Sequence, residues 1–263
     1  MTSSGWFPVR AWGTVPGLAD DVVVGDRIML DDGRLELQVM GVDHGAVVTR
    51  VEVGGPLSSH KGVNVPGTTL GVDAITERDR RILVWGLEAG VDAVAQSFVR
   101  GPEDVEALRS LMGDRVIPIV AKIEKYEAID RLEQIVAQAD VVMVARGDLG
   151  VETSPERVPV LQRSIIQMCR GAGVPVIVAT QMLESMTSSP RPTRAEASDV
   201  ANSIFYLVDG VMLSAETAVG DYPERAVATM ARIAMTAEES ITHVKWDRVS
   251  AGDTDDVTQA VSA

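Results

Sequence analysis

The sequence is poor in cysteine, histidine and aromatic residues, and each scarcity excludes a class of protein or site. Its single cysteine, Cys169, cannot form an intramolecular disulfide, so we expect a reducing compartment and a cytoplasmic location. Cys169 lies in an apolar helical pattern, which predicts a structural thiol rather than a reactive one. The three histidines do not cluster, and we predict surface or packing roles for His44, His60 and His243. A histidine–cysteine site for a soft metal is therefore not expected.

Positive charge and long apolar runs are also scarce. Lysine and arginine number 24 against 38 aspartates and glutamates, which gives a net charge of -14. Such a surface repels phosphates, so we expect neither nucleic acid nor an anionic membrane as a partner. No apolar run approaches the roughly 20 residues of a membrane helix, and the N-terminus lacks the pattern of a signal peptide. An anionic substrate must therefore meet a local cation or a bound metal.

Two patterns of secondary structure follow one another along the 263 residues, of which 46% are hydrophobic. Residues 22–53 contain short β-branched runs and the turn sequence "DDG", which together predict a small antiparallel sheet. We accordingly predict a β-rich domain over residues 1–66. From Thr76 a charged first turn, an apolar stripe and a terminal glycine predict a helix, with Trp85 on its packing face.

From Val91 onward, apolar strands alternate with amphipathic helices. The strands are nearly continuous apolar runs, as expected in a parallel sheet covered on both faces: "VDAVAQSF", "VIPIVAKI", "DVVMVA", "VPVIVAT" and "DGVMLS". Helix starts are indicated by Ser154-Pro155-Glu156 and by the capping-box spacing of Thr193 and Glu196. This repetition over residues 67–243 fits a doubly wound sheet or a (β/α)8 barrel, and residues 244–263 are predicted to be a linker and the start of a truncated C-terminal region.

Polar side chains follow each predicted strand, and the ends of parallel strands meet at one rim. Lys122 and Glu124 are two residues apart, so they lie on one face of an extended chain. Glu124 and Asp148 follow successive strands and are suited to hold Mg²⁺ or Mn²⁺, beside which Lys122 would neutralise a phosphoryl group or an enolate. The other rim residues are Ser97, Arg146, Gly147, Thr180, Gln181, Glu184, Ser214 and Glu216.

Each of these features also has a simpler explanation. Lys122 and Glu124 could form a plain ion pair, and residues 147–150 could be an ordinary tight turn, although its backbone N–H groups could also face an anion. Thr180 could be a hydroxyl that caps a helix. The occurrence of all three features on successive strands favours one common site.

Several motifs resemble those of pyruvate kinases. The segment "AKIEKYEAI" is similar to the lysine-containing strand of that family, and "VMVARGDLGVE" is similar to its metal-binding strand. The long segment "ATQMLESMTSSPRPTRAEASDVANS" resembles the signature after the next strand, and "VMLSAETAVGDYPERAV" resembles the eighth-strand region. The segments "DDG" and "KGVNVPG" resemble the lid and its return to the barrel. The resemblance implies an α/β fold, a partial (β/α)8 TIM barrel of about five βα units with a small antiparallel β lid segment.

The resemblance also implies an activity, which is phosphoryl transfer between phosphoenolpyruvate and ADP to give pyruvate and ATP in glycolysis. In that reaction Lys122 would stabilise the transferring phosphoryl group, while Glu124 and Asp148 would hold Mg²⁺ or Mn²⁺. Lys61 would bind nucleotide phosphates. The partners implied are thus phosphoenolpyruvate or pyruvate and ADP or ATP.

Further residues would bind or protonate the substrate by the same resemblance. The backbone N–H groups of Gly147 and Asp148 would receive the substrate carboxylate, and Ser97 would also bind substrate. Thr180 would lie near the enolate carbon and assist its protonation, with Ser214 as a relay.

The sequence departs from the family in extent. The three barrel strands that precede the lid, which carry a phosphate-binding arginine and the K⁺ ligands, have no counterpart here, and neither does the C-terminal domain. Because five parallel strands cannot close an eight-stranded barrel, we expect a homo-oligomer or completion by a missing N-terminal part. The alternatives to an active kinase are a catalytically inactive truncated pyruvate kinase-like protein that still binds ligands, and a metal-dependent phosphoenolpyruvate/pyruvate barrel aldolase or lyase.

Overall fold

The computed structural model describes Val15 and residues 17–71 and 73–243, and these form two sheets with surrounding helices. The predicted C-terminal linker and the first 14 residues of the predicted β-rich domain lie outside the described residues. The exact domain boundaries therefore stay predictions.

The smaller sheet is antiparallel, as the sequence predicts for this region. It follows the one-turn helix α1 (Leu18–Asp21) and consists of β1 (Arg27–Leu30), β2 (Leu35–Asp43), β3 (Ala46–Val53) and β4 (Val63–Asn64), in the order β3-β2-β1-β4. Its core contains Val22, Ile28, Val39 and Val65. The turn between β1 and β2 is the predicted "DDG", in which Asp31, Asp32 and Gly33 all have left-handed φ values.

The larger sheet is parallel and has five strands in sequential order. These are β5 (Val94–Gln96), β6 (Ile119–Ile123), β7 (Val141–Ala145), β8 (Val176–Ala179) and β9 (Gly210–Met212). One face packs on helices in the main core, and the other carries a smaller cluster built on Val120, Met143 and Ala179. Strands β5 and β9 are the two edges, and the described residues form no closed barrel. The predicted α/β fold, a partial barrel with a small antiparallel sheet, is confirmed.

Helices connect the strands and cover the main core. They are α2 (Glu77–Ala89), α3 (Pro102–Met112), α4 (Tyr126–Asp130), α5 (Leu132–Gln138), α6 (Arg146–Glu152), α7 (Val158–Ala172), α8 (Arg194–Phe205), α9 (Ala215–Ala218) and α10 (Pro223–His243), with a 3₁₀ turn at Glu184–Thr187. The predicted capping box of Thr193 and Glu196 is confirmed at the start of α8. The helix start predicted at Ser154 is wrong, because residues 155–157 form a turn and α7 begins at Val158.

Two single-residue predictions have opposite outcomes. Cys169 is fully buried, and burial raises the pKa of its thiol to about 12, which confirms a structural cysteine. Trp85 is 68% exposed, so its predicted packing role is wrong. The reason is helical periodicity, since Leu83 and Leu87 occupy the buried face of α2 and Trp85 lies away from it.

The histidine predictions are partly answered. His44 and His60 are exposed, as predicted, whereas the side chain of His243 lies outside the described part of the structure. Among the helices within residues 17–71 and 73–243, none is long and apolar enough to cross a membrane.

The buried face of α5 provides a stability test. Ile135 is fully buried, so Ile135→Ala should leave a cavity and lower the free energy of unfolding by about 2–5 kcal/mol. Val160 on α7 is 70% exposed, so Val160→Ala should change the free energy of unfolding by less than about 0.5 kcal/mol. Urea denaturation followed by circular dichroism measures both values, and equal losses would contradict the described packing.

Candidate active site

An ion pair lies at the C-terminal end of β6. Lys122 Nζ is 2.5 Å from Glu124 Oε1, and it donates a hydrogen bond of 3.0 Å to Oγ of Ser97, which follows β5. The Glu124 side chain is 1% exposed, whereas that of Lys122 is 23% exposed. The predicted common face of Lys122 and Glu124 is confirmed, and the lysine is the partner with access to solvent.

Glu124 is held in an environment that opposes its charge. Burial raises the pKa of its carboxyl above the ordinary value, and the hydrogen bond and positive charge of Lys122 act in the opposite direction. The backbone N–H of Phe98 donates to Glu124 Oε2 at 2.8 Å and also favours the charged form. The negative charge of Asp148 raises the pKa further. The two carboxylates therefore interact electrostatically across the ends of neighbouring strands.

Asp148 lies in the first turn of α6, which follows β7 without an intervening loop. The tight turn considered for residues 147–150 is thus part of a helix, whose Leu149 is fully buried in the core. Burial raises the pKa of Asp148, the charge of Lys122 lowers it, and Asp32 and Glu152 raise it. Within the described chain, no hydrogen bond or ion pair is made to the Asp148 carboxylate.

Strand β8 ends in a strained corner that meets the start of α6. Thr180 and Gln181 have φ values of 68° and 54°, and such left-handed conformations cost on the order of 1–3 kcal/mol for each residue other than glycine. The Gly147 N–H donates to Thr180 Oγ1 at 2.8 Å, and Thr180 Oγ1 donates to the carbonyl of Ala179 at 2.6 Å. The structure therefore brings Gly147 and Thr180 together.

A buried polar cluster that the sequence analysis missed joins the antiparallel sheet to this rim. The Glu152 carboxylate, 1% exposed, accepts hydrogen bonds from Lys125 Nζ at 2.6 Å and from Asn64 Nδ2 in β4 at 3.0 Å. Lys125 follows Glu124 directly, and Glu152 ends the helix that begins beside Asp148. The four-residue spacing of Asp148 and Glu152 places both on one helix face, and this spacing could have indicated that Glu152 lies near the site.

Within the described residues, neither Ser214 nor Lys61 makes a hydrogen bond or ion pair to Lys122, Glu124, Asp148 or Thr180. Ser214 donates its backbone N–H to Glu216 Oε2 at 2.8 Å, and the other oxygen of this fully buried glutamate accepts from Leu183 N at 3.0 Å. Lys61 Nζ lies 2.8 Å from Asp31 Oδ1 in the β1–β2 turn. These residues belong to the framework around the rim in this arrangement.

The chemistry of the rim fits a hard divalent cation. Glu124 and Asp148 are oxygen donors whose pKa values are raised by burial, so a nearby cation would stabilise both charged forms. Among the described residues, no cluster of three or more acidic, histidine or cysteine side chains is suited to hold a metal. The protein would supply two carboxylates and leave the other positions to water and substrate, as Mg²⁺ commonly does.

Comparison with known proteins identifies the family. A family model described as "Pyruvate kinase, barrel domain" matches residues 10–227. The chain belongs to the pyruvate kinase family. It is 54% identical over 226 residues to pyruvate kinase 2 of Synechocystis, 51% identical over 232 residues to the pyruvate kinase of Mycobacterium intracellulare, and 48% identical over 259 residues to that of Bacillus licheniformis.

These similarities cover most of this chain but less than half of each relative. The matches to the three pyruvate kinases span 84%, 87% and 95% of this chain, and 38%, 49% and 44% of the respective relatives. The family match, over residues 10–227, covers both sheets and the rim of this chain.

The ion pair predicts how Glu124 titrates. In Lys122→Met the pKa of Glu124 should rise further, because the largest influence that lowers it has been removed. The pKa of Glu124 is higher in the folded state than in the unfolded state, so the folded state binds the proton more tightly. The free energy of unfolding should therefore fall as the pH rises from the unfolded-state pKa through the folded-state pKa. This fall should be larger in Lys122→Met. Carboxyl-detected NMR titration measures the pKa.

Lys61→Met is the matched control for this titration, because Lys61 pairs with Asp31 rather than with Glu124. It should leave the Glu124 titration unchanged. A Glu124 pKa that is equal in Lys122→Met and the parent would contradict the ion pair.

Proposed function

We propose that the rim performs the transferase chemistry of pyruvate kinases, moving a phosphoryl group between phosphoenolpyruvate and ADP. The P–O bond to the enol oxygen breaks, a new bond forms to the terminal phosphate oxygen of ADP, and the resulting enolate takes a proton at carbon to give pyruvate. The proposal rests chiefly on the contact of Lys122 with the buried Glu124 beside Asp148, in a chain of this family.

In the proposed reaction, Lys122 would stabilise the transferring phosphoryl group. Its ammonium is paired with Glu124 and hydrogen-bonded to Ser97, yet its side chain remains 23% exposed. A cation held in this way acts on developing negative charge without reorganising, and such electrostatic stabilisation is commonly the largest catalytic contribution. Ser97 orients the ammonium through this hydrogen bond and, in the proposal, would also bind substrate.

Glu124 and Asp148 would hold Mg²⁺ or Mn²⁺ in the proposed reaction. The bound cation would supply charge neutralisation for the phosphoryl and enolate oxygens. Glu124 keeps acceptor capacity for it, because each carboxylate oxygen accepts from one donor and has a second lone pair. Asp148 has both oxygens available within the described chain. A K⁺ requirement is part of the proposal by family resemblance alone.

Substrate binding and proton transfer would require partner exchange at the strained corner. The N–H of Gly147 donates a hydrogen bond to Thr180 Oγ1. For the N–H groups of Gly147 and Asp148 to bind the substrate carboxylate together, this hydrogen bond would have to break. The Thr180 hydroxyl in turn donates a hydrogen bond to the carbonyl of Ala179. To assist enolate protonation, this hydroxyl would have to turn away from that carbonyl. Ser214 would act as relay only after a rearrangement that brings its hydroxyl to Thr180.

Nucleotide binding is assigned to Lys61 at the antiparallel sheet. Its ammonium pairs with Asp31, whose pKa is lowered by that hydrogen bond, and it would exchange this partner for nucleotide phosphates. We further propose a glycolytic role in the cytoplasm, and assembly as a homo-oligomer or with a separate segment that completes the barrel.

A second candidate is ligand binding without turnover. It is favoured by the open edges of the parallel sheet at β5 and β9, since a site at the rim of an unclosed sheet lacks walls on two sides. In that case the carboxylates would bind metal while phosphoryl transfer would not occur. An aldolase or lyase of the same substrates remains the least supported alternative, because the family match is to a kinase domain.

Replacement of Lys122 tests the proposed reaction. Lys122→Met should lower phosphoenolpyruvate-dependent ATP formation from ADP by about 10²–10³-fold, because the cation beside the phosphoryl group is lost. Turnover of the purified chain with Mg²⁺ and K⁺, followed by luciferase detection of ATP, measures it. Arg170→Met, at an exposed position of α7, is the control and should match the parent.

The outcomes of this assay separate the candidates. Equal turnover in Lys122→Met and the parent would contradict the role of Lys122. A folded parent that binds metal but forms no ATP would instead favour the ligand-binding candidate.

Metal binding is tested separately from turnover. Glu124→Gln and Asp148→Asn should each weaken Mn²⁺ binding by about tenfold or more. Lys122→Met should not weaken it, because this substitution removes a positive charge that repels the metal. Electron paramagnetic resonance of free Mn²⁺ measures the affinity. Asp130→Asn, an exposed acidic residue of α4, is the control, and a loss as large as that of Asp148→Asn would argue against a specific site.

A further inference from the structure

The corner after β8 is held in a conformation that its own sequence does not favour. Thr180 and Gln181 are consecutive residues with left-handed φ, and neither is glycine or asparagine. Left alone, such a segment would relax to negative φ and carry the Thr180 hydroxyl away from Gly147. Strain of this kind persists only where surrounding contacts hold the backbone in place.

One buried side chain makes most of these contacts. Arg146, 6% exposed, donates from Nε and Nη2 to the carbonyl of Thr180 at 3.0 and 2.8 Å, and from Nη2 to the carbonyl of Gln181 at 2.8 Å. The carbonyls of both strained residues are therefore bound by one planar group. A guanidinium presents several donors in a fixed fork, whereas the ammonium of lysine is a single flexible point charge.

The guanidinium is itself fixed from two further helices. Its Nη1 lies 2.5 Å from Oδ2 of Asp199 in α8 and 3.5 Å from Oε1 of Gln162 in α7. The aspartate compensates the buried charge, which would otherwise be strongly unfavourable. Arg146 also precedes Gly147, so the residue that binds the corner carbonyls is adjacent to the one whose N–H meets the corner hydroxyl.

We propose that Arg146 is a positioning residue that imposes the left-handed conformation of Thr180 and Gln181 and so keeps the Thr180 hydroxyl at the N–H of Gly147. A simple ion pair between Arg146 and Asp199 would explain only one of its contacts, whereas three hydrogen bonds go to the two strained residues. The catalytic meaning of this placement rests on the proposed function, in which Thr180 assists protonation of the enolate. The placement itself is a property of the folded chain and can be measured without turnover.

Amide hydrogen exchange of the full chain, followed by mass spectrometry, tests the placement. In the parent, the Gly147 N–H donates to Thr180 Oγ1 and the Leu183 N–H donates to Glu216 Oε1. In Arg146→Ala, these two amides should exchange at least tenfold faster than in the parent, while those of β7 should keep their parent rates. Arg146→Lys should resemble Arg146→Ala, because an ammonium cannot bind both carbonyls in the same fork. Arg170→Ala, at an exposed arginine of α7, is the matched control and should leave the corner unchanged.

Chemical rescue separates positioning from a general loss of packing. Guanidinium chloride, added to Arg146→Ala at concentrations well below those that unfold proteins, should restore slow exchange of the Gly147 and Leu183 amides, and ammonium chloride at the same concentration should not. If Arg146→Ala fails to fold, Asp199→Asn takes its place, because it keeps the guanidinium but releases one of its anchors. Faster exchange confined to the corner is expected there too.

Three results would overturn the proposal. These are unchanged exchange at the corner in the folded Arg146 variants, equal acceleration throughout the chain, and rescue by ammonium as effective as that by guanidinium. Loss of turnover in Lys122→Met bears on the proposed function alone. A positive exchange result in a chain that forms no ATP would uphold the positioning role while the proposed reaction fails.

Discussion

A carboxylate removed from water must be compensated by nearby donors, and the rim is organised around meeting this requirement for Glu124. One of its oxygens is paired with Lys122, and the other accepts from the N–H of Phe98. Phe98 has a left-handed φ of 57° at this point. Residues that follow two neighbouring strands thus stabilise the charge of Glu124. The same contacts fix the Lys122 ammonium, whose side chain remains partly exposed to solvent.

The same arrangement recurs from strand to strand around the rim. A hydroxyl after β8 accepts the N–H of Gly147 after β7, and the buried Glu216 after β9 accepts the N–H of Leu183 from the preceding loop. In each case a polar atom that follows one strand satisfies a backbone group that follows its neighbour. Because backbone groups away from water need partners, these cross-strand bonds set the relative heights of the strand ends. The polar side chains that follow the parallel strands therefore lie together at the C-terminal edge of the sheet.

The sequence predicted those features that depend on local patterns. Strand and helix alternation follows from apolar periodicity, and the shared face of Lys122 and Glu124 follows from the pleat of an extended chain. The start of α7 was misplaced because a Ser-Pro-Glu turn has the same local signals as a capped helix, and Trp85 was misassigned because its helix buries a narrow stripe. Contacts between residues far apart, such as Asn64 with Glu152 or Arg146 with Asp199, have no local pattern from which they could be predicted.

The cluster of Lys125, Glu152 and Asn64 makes the rim and the antiparallel sheet parts of one thermodynamic system. Lys125 neighbours Glu124, Glu152 shares a helix with Asp148, and Asn64 belongs to the small sheet. An anion that draws Lys125 away from Glu152 leaves that carboxylate with Asn64 as its remaining donor and changes how strongly the small sheet is attached. By reciprocity, displacing the sheet changes the affinity of the rim for that anion by the same factor. The small sheet would therefore contribute to the binding free energy of any anion that pairs with Lys125.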